Sequence, residues 1–238
     1  LYSSGTTGKP KCIIHSAGGT LIQHIKEHRY HCDMQENDRI MYFTTCGWMM
    51  WNWMVTALAS KVTLVLYEGS PIFPNPLILF EIAENEKLSF FGASAKYIDS
   101  LNKLKIQPNE KNNFEKLRVF ASTGSPLSPQ SYDWVYSNVK KDLQLSSISG
   151  GTDIVACFVQ GNPCLPVKRG EIQCSSLGMD VQSWDDSGLR ILNLPGELVC
   201  INSFPSIPLG FWNDKDNKKF KEAYFEKYKN VWHHGDFV

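Results

Sequence analysis

The stretch Tyr2-Ser3-Ser4-Gly5-Thr6-Thr7-Gly8-Lys9-Pro10-Lys11 sets glycines among hydroxyl and lysine side chains, a mixture that could hold an anion. Glycine lets the backbone take φ > 0 and approach a ligand closely, so successive N–H groups can converge on one anionic group. Threonine hydroxyls add donors, and lysine adds a compact positive charge suited to phosphate. It is no Walker loop, because Gly5 and Gly8-Lys9 stand two residues too close for G-x-x-x-x-G-K-[ST]. By composition alone the run also fits a polar linker. Three histidines, His24, His28 and His31, fall at i, i+4 and i+7 on one helical face, a spacing that would suit a metal. Their neighbours Lys26, Glu27, Arg29 and Tyr30 point instead to a solvated face. Between Cys46 and Met54, Trp48, Trp51 and Trp53 alternate with Met49, Met50 and Met54, which reads as dense core or as the wall of an apolar pocket.

Bulk properties narrow the classes. The 238 residues are 42% hydrophobic and 20% charged, an ordinary balance for a globular protein. With 24 basic against 24 acidic residues, charge gives no reason to expect a nucleic acid or an anionic membrane as partner. Seven cysteines make an odd count without a C-x-x-C pair, which fits reduced, mostly buried thiols in a cytoplasmic protein better than a disulfide frame or a zinc site. The most apolar region, Cys46 to Leu66, is broken by Asn52 and Lys61 and is too short and polar to span a bilayer.

The elements that must position these residues alternate. Ile13-Ile14-His15 ends a short strand, and Ser16 caps a helix from about Ala17 to Cys32. Strands are expected at 39–44, 62–67, 89–92, 117–121 and 144–148, with helices at 77–86, 95–104 and 129–139 between them. That alternation predicts an α/β fold: a parallel sheet with helices on both faces, over residues 1–162. Ligands of such sheets sit beyond the carboxyl ends of the strands. From 163 to 238 short alternating strands predict a β-rich, small β-barrel-like subdomain. Lys215 to Lys229, dense in Lys and Glu with interleaved Phe and Tyr, reads as a surface insertion.

S-S-G-T-T-G-K-P-K (3–11) resembles the phosphate-binding loop of the adenylate-forming enzymes, a family of acyl-CoA synthetases, luciferases and peptide-synthetase adenylation domains. Three further stretches follow in the order that family requires. Gly124-Ser125-Pro126 resembles the turn bordering adenine. Ser149-Gly150-Gly151-Thr152-Asp153 stands at the Tyr-Gly-x-Thr-Glu position. Trp232-His233-His234-Gly235-Asp236 resembles the Tyr-x-x-Gly-Asp segment whose aspartate holds the ribose hydroxyls. Gly47-Trp48 is similar to the point where acyl-CoA synthetases set a tryptophan against the acyl chain.

The resemblance implies ATP-dependent activation of a small carboxylic acid through an acyl-adenylate, followed by transfer to coenzyme A, with Mg²⁺ as the accompanying ion. It implies that Ser4, Gly5, Thr6, Thr7, Gly8 and Lys9 bind the β- and γ-phosphates, and that Thr152 binds the α-phosphate within an ATP site that includes Ser149, Gly150 and Gly151. Gly124, Ser125 and Pro126 would border adenine, Asp236 would hold the ribose and Asp153 would be the metal ligand. Trp48, Met49, Thr123 and Gly150 would line the acyl pocket, and His15 would anchor the phosphate loop. Three departures stand out: Ser149 replaces an aromatic that stacks on adenine, Asp153 replaces a glutamate one methylene longer, and Gly150 replaces the tryptophan that closes the pocket of acetate-activating relatives. The acid is therefore expected to be longer or more polar than acetate; another short- or medium-chain acid is the alternative. The family's catalytic lysine lies in a C-terminal domain, so none is expected within these residues, and the chain reads as a fragment inactive by itself. A stand-alone nucleotide-binding module, or a tryptophan-rich interaction module with exposed aromatics, are the readings of other classes.

Overall fold

The computed structural model describes residues 1–3 and 10–238. In chain order, β1 (Tyr2–Ser3) and β2 (Lys11–Ile14) precede α1 (Ala17–Lys26), which runs on as a π-helical turn over Glu27–His31. Strands and helices then alternate: β3 (Arg39–Tyr42), α2 (Met49–Thr56), β4 (Thr63–Leu64), α3 (Ile78–Asn85), β5 (Phe90–Ser94), α4 (Ala95–Lys103), β6 (Val119–Thr123), α5 (Pro129–Asn138) and β7 (Gln144–Ser147). Short strands follow, β8 (Ser149–Gly151), β9 (Ala156–Gln160), β10 (Cys174–Ser175), β11 (Val181–Trp184), β12 (Arg190–Ile191), β13 (Glu197–Cys200) and β14 (Gly210–Phe211). The chain closes with α6 (Lys218–Phe225) and β15 (Trp232–Phe237).

One compact unit comprises His24–Ser149 and Val159–Cys174. Its sheet has the order β4-β3-β5-β6-β7, and every neighbouring pair is parallel. Adjacent strand residues point to opposite faces, and β5 shows what each face meets. Phe91 stacks on Phe120 at 4.9 Å within the cluster that holds Phe80 of α3, Ile98 of α4 and Val135 of α5. Phe90 turns the other way, with its ring centroid 5.7 Å from that of Trp53 on α2. Helices thus cover both faces, as a parallel sheet requires. Local chemistry starts two of them: Ser94 accepts a bond from the Tyr97 N–H, and Ser128 accepts one from the Ser131 N–H with Pro129 in the first turn.

The histidine face departs from both expectations. His24, His28 and His31 are fully buried rather than solvated, and among the described residues no group of three or more His, Cys, Asp or Glu side chains is arranged to hold a metal. His24 Nδ1 meets Thr56 Oγ1 at 2.7 Å, His28 Nε2 meets the Trp53 carbonyl at 3.0 Å, and His31 Nδ1 meets the Gly161 carbonyl at 2.7 Å. Beside them the buried Glu27 accepts a bond from Trp53 Nε1 at 2.9 Å. Polar side chains here fasten helix to core.

The other unit comprises Leu1–Gln23, Gly150–Phe158 and Ser175–Val238. It contains an antiparallel sheet of order β12-β11-β13-β15 and a smaller one of order β1-β2-β14. Phe158, Leu198, Phe204, Phe220, Tyr224 and Trp232 belong to its core. The Lys215–Lys229 region is therefore more than a surface insertion, because Phe220, Tyr224 and Tyr228 are buried while the lysines and glutamates between them face outward.

All seven cysteines are free, but only Cys32, Cys157 and Cys200 are buried. Among the described residues no helix is long and apolar enough to cross a membrane.

Candidate active site

In the parallel-sheet unit, three strand ends carry the residues singled out above. After β3, Trp48 precedes α2, its N–H bonded to the Thr45 carbonyl at 3.0 Å and its ring edge-on to Tyr42 at 6.1 Å. Met49 is buried and Trp48 half-buried. After β6 the chain turns through Gly124, whose φ of +95° favours glycine. A Cβ there would lie 3.6 Å from Trp48 Cζ2, so the indole runs along the Gly124 backbone. Thr123 Oγ1 donates to the Ile148 carbonyl at 2.9 Å, tying the end of β6 to the segment after β7 that leads into the half-buried Ser149. Ser125 and Pro126 are exposed, and Leu127 behind them is buried. Trp48, Thr123 and Gly124 are thus brought together within this unit.

The antiparallel unit carries Gly150, Gly151, Thr152, Asp153 and Asp236. Strands β8 and β9 approach so closely that a Cβ on Gly150 would collide with the Ala156 carbonyl oxygen and sit 2.7 Å from Cys157 Cα. The position is closed to side chains by backbone. We expect Gly150→Ala to destabilise the fold by about 1–3 kcal/mol, the usual cost of overpacking. Urea unfolding measures it, and an unchanged midpoint would contradict the close approach.

Asp153 is the centre of a small network. Its Oδ1 accepts a hydrogen bond from the Tyr224 hydroxyl and lies 3.4 Å from Lys11 Nζ, which is also 3.4 Å from the Tyr224 oxygen. The Tyr224 ring stacks on Trp232 with centroids 4.0 Å apart and planes 13° from parallel. Lys11 Nζ stands 4.8 Å from the Tyr224 ring centroid, a cation–π distance. Burial, reinforced by the Asp153 carboxylate, pushes the Tyr224 hydroxyl up beyond its ordinary titration range, so it stays protonated and donates. Sequence reasoning gave Tyr224 no role and Lys11 none beyond the phosphate stretch. The spacing of Phe220, Tyr224 and Tyr228 at i, i+4 and i+8 is the signal that would have marked a buried helical stripe.

Asp236 sits on an irregularity. From His233 to Phe237 strand β15 takes four steps while its partner β13 takes two, from Val199 to Glu197. The surplus residues form a bulge that includes Gly235, with φ of +87°. Bulges re-aim side chains, and the Asp236 carboxylate here is 63% exposed. The adjoining His234 receives Trp232 Nε1 on Nδ1 at 3.4 Å, which leaves the proton on Nε2, 3.5 Å from Asp236 Oδ2. Burial holds His234 below its usual range against the pull of Asp153 and Asp236.

His15 stands beside this group, close to the backbone of Ser206 and Thr152. Burial lowers it to about 4, and neither ring nitrogen makes a well-formed hydrogen bond among the described residues. It is neutral at pH 7, as suits an anchor. His28 and His31 are lowered in the same way by burial. A histidine whose folded pKa lies below its ordinary 6.5 contributes stability that is present above pH 6.5 and lost as pH falls towards about 4. Urea midpoints should therefore drop between pH 7 and pH 5, before most carboxylates titrate; a constant midpoint over that window would contradict neutral burial. Ser4, Gly5, Thr6, Thr7, Gly8 and Lys9 lie outside the described residues.

Comparison with known proteins adds the following. Residues 1–204 match the family model described as AMP-binding enzyme. The chain is 56% identical over 238 residues to acetoacetyl-coenzyme A synthetase of Rhizobium meliloti (strain 1021), covering all of this chain and 37% of the relative. It is 50% identical over 237 residues to acetoacetyl-CoA synthetase of Gallus gallus, covering all of this chain and 36% of that one. Among solved structures, acetoacetyl-CoA synthetase from Streptomyces lividans superposes with a TM-score of 0.94 at 43% identity, over 100% of this chain and 37% of the other. The chain thus spans little more than a third of the length of the relatives it matches.

Proposed function

Because the chain belongs to the AMP-binding enzyme family, we propose that it forms the nucleotide- and acid-binding part of an enzyme that joins acetoacetate to coenzyme A using ATP. The observation that carries the choice of acid is the high identity, along the whole chain, to synthetases of that name. In this reading the acetoacetate carboxylate attacks the α-phosphate of ATP, pyrophosphate leaves, and the coenzyme A thiol then displaces AMP from the acyl-adenylate.

Chemistry of this kind depends on alignment and on stabilising charge spread over phosphate oxygens. Asp236, exposed on its bulge, accepts the ribose hydroxyls, and Gly124 to Pro126 border the adenine. Backbone and hydroxyl donors of Ser4 to Lys9 take the β- and γ-phosphates, and Thr152 takes the α-phosphate. Trp48, Met49 and Thr123 receive the acid; Gly150, whose Cβ direction is filled by the backbone of Ala156 and Cys157, would offer backbone alone and no opened space. Mg²⁺ bound with the triphosphate would neutralise part of its charge, and the Asp153 carboxylate, a hard oxygen donor, fits it as ligand. Free cysteines support a reducing, cytoplasmic setting.

The full-length enzyme, given acetoacetate, ATP and coenzyme A, should form the thioester with one AMP and one pyrophosphate per turnover. Release of ADP and phosphate instead would overturn the adenylate route.

A further inference from the structure

Asp153 has one methylene fewer than the glutamate that the resemblance leads one to expect, so its carboxylate reaches less far and its direction matters more. Groups behind a metal ligand set that direction. Among the described residues the hydrogen bonds to Asp153 fall on Oδ1: the Tyr224 hydroxyl donates one, and Lys11 Nζ lies at 3.4 Å. Tyr224 is itself fixed, 2% exposed and flat against Trp232. Packing alone needs only the ring. The hydroxyl, buried beside the carboxylate, is what a phenylalanine would lack.

We propose that Tyr224 is a positioning residue for the cation: its hydroxyl clamps Asp153 Oδ1 and so presents Oδ2 to the Mg²⁺ that accompanies ATP. The proposal rests on the reading of Asp153 as the Mg²⁺ ligand. In that arrangement α6, with its charged outer face, serves the site through one inward tyrosine, and the shorter aspartate arm is offset by a fixed orientation.

The test is carried out on the full-length enzyme while free Mg²⁺ is varied at fixed ATP, reading both the calorimetric affinity for ATP and the acetoacetate-dependent exchange of pyrophosphate into ATP. Tyr224→Phe keeps the stack on Trp232 and removes only the hydroxyl. It should raise the half-saturating Mg²⁺ concentration roughly 10- to 100-fold, the range typical of outer-shell partners of a metal ligand, with KM for acetoacetate unchanged. A lower thermal midpoint with an unaltered Mg²⁺ curve would reduce Tyr224 to packing and overturn the proposal. Asp153→Asn separates the two levels. If it leaves the Mg²⁺ response as in the wild type, the reading of Asp153 fails and the proposal with it. If it destroys that response while Tyr224→Phe does not, the role of the tyrosine alone fails. The double variant Asp153→Glu/Tyr224→Phe supplies the missing reach without the clamp. Recovery of the Mg²⁺ response in it supports the proposal; a response as weak as that of Tyr224→Phe contradicts it.

Discussion

Asp236→Ala in the full-length enzyme should raise KM for ATP about a hundred-fold, since two hydrogen bonds to a charged acceptor are worth about 3 kcal/mol together at the low end and 1.4 kcal/mol is a factor of ten. The effect should fall on KM more than on kcat, because ribose contacts of the proposed site would be made equally before and during adenylyl transfer. Folding should hardly change. The carboxylate is 63% exposed, and its contact with the largely buried His234 is long, at 3.5 Å, so little is lost with it. A change in stability within about 0.5 kcal/mol is expected for such a site. The bulge gives a reason for the position: surplus residues on β15 and the positive φ of Gly235 lift the carboxylate out of the ladder. Unchanged KM for ATP with intact folding would remove Asp236 from the nucleotide site.

Phe120→Ala should have the largest effect on stability, about 3–5 kcal/mol. Phe120 is fully buried on β6, stacked on Phe91 with planes 5° apart and edge-on to Phe80 at 5.9 Å. Alanine would leave a cavity between the sheet and the helices that cover it. A loss of that size is a large share of the 5–15 kcal/mol typical of a domain. The strand ends three residues later at Thr123, so the turn through Gly124 to Pro126 would lose its support as well. Phe120→Leu should cost about 1.5 kcal/mol or less, as a better match in volume. Chemical unfolding of both variants checks this, and a cost below 1 kcal/mol for alanine would show that Phe120 is not the keystone of that face.

The parallel sheet was legible because its signals are local. Apolar runs such as Phe90-Phe91 and Val119-Phe120-Ala121 are bounded by turns, and Ser94 and Ser128 mark helix starts. Long-range pairing was not legible. His28 and His31 find their acceptors 25 and 130 residues away, and charged neighbours such as Lys26 and Arg29 gave a misleading picture of their face. Tyr224 reaches Asp153 across 71 positions, and Lys11 reaches it across 142. The order of residues can name Asp153 as a candidate; only the folded chain shows what holds its carboxylate. Gly150 has the same lesson. Its type suggests an open pocket, whereas its Cβ direction is filled by the backbone of Ala156 and Cys157.

The most direct test of the proposed activity is carboxylate-dependent exchange of pyrophosphate into ATP by the full-length enzyme, with acetoacetate, acetate, butyrate and octanoate compared side by side. Fast exchange with acetoacetate, well above the other three, is the predicted result. Preference for acetate or a longer fatty acid would keep the adenylate chemistry and contradict the acid assigned here, and no exchange with any of the four would contradict adenylation itself.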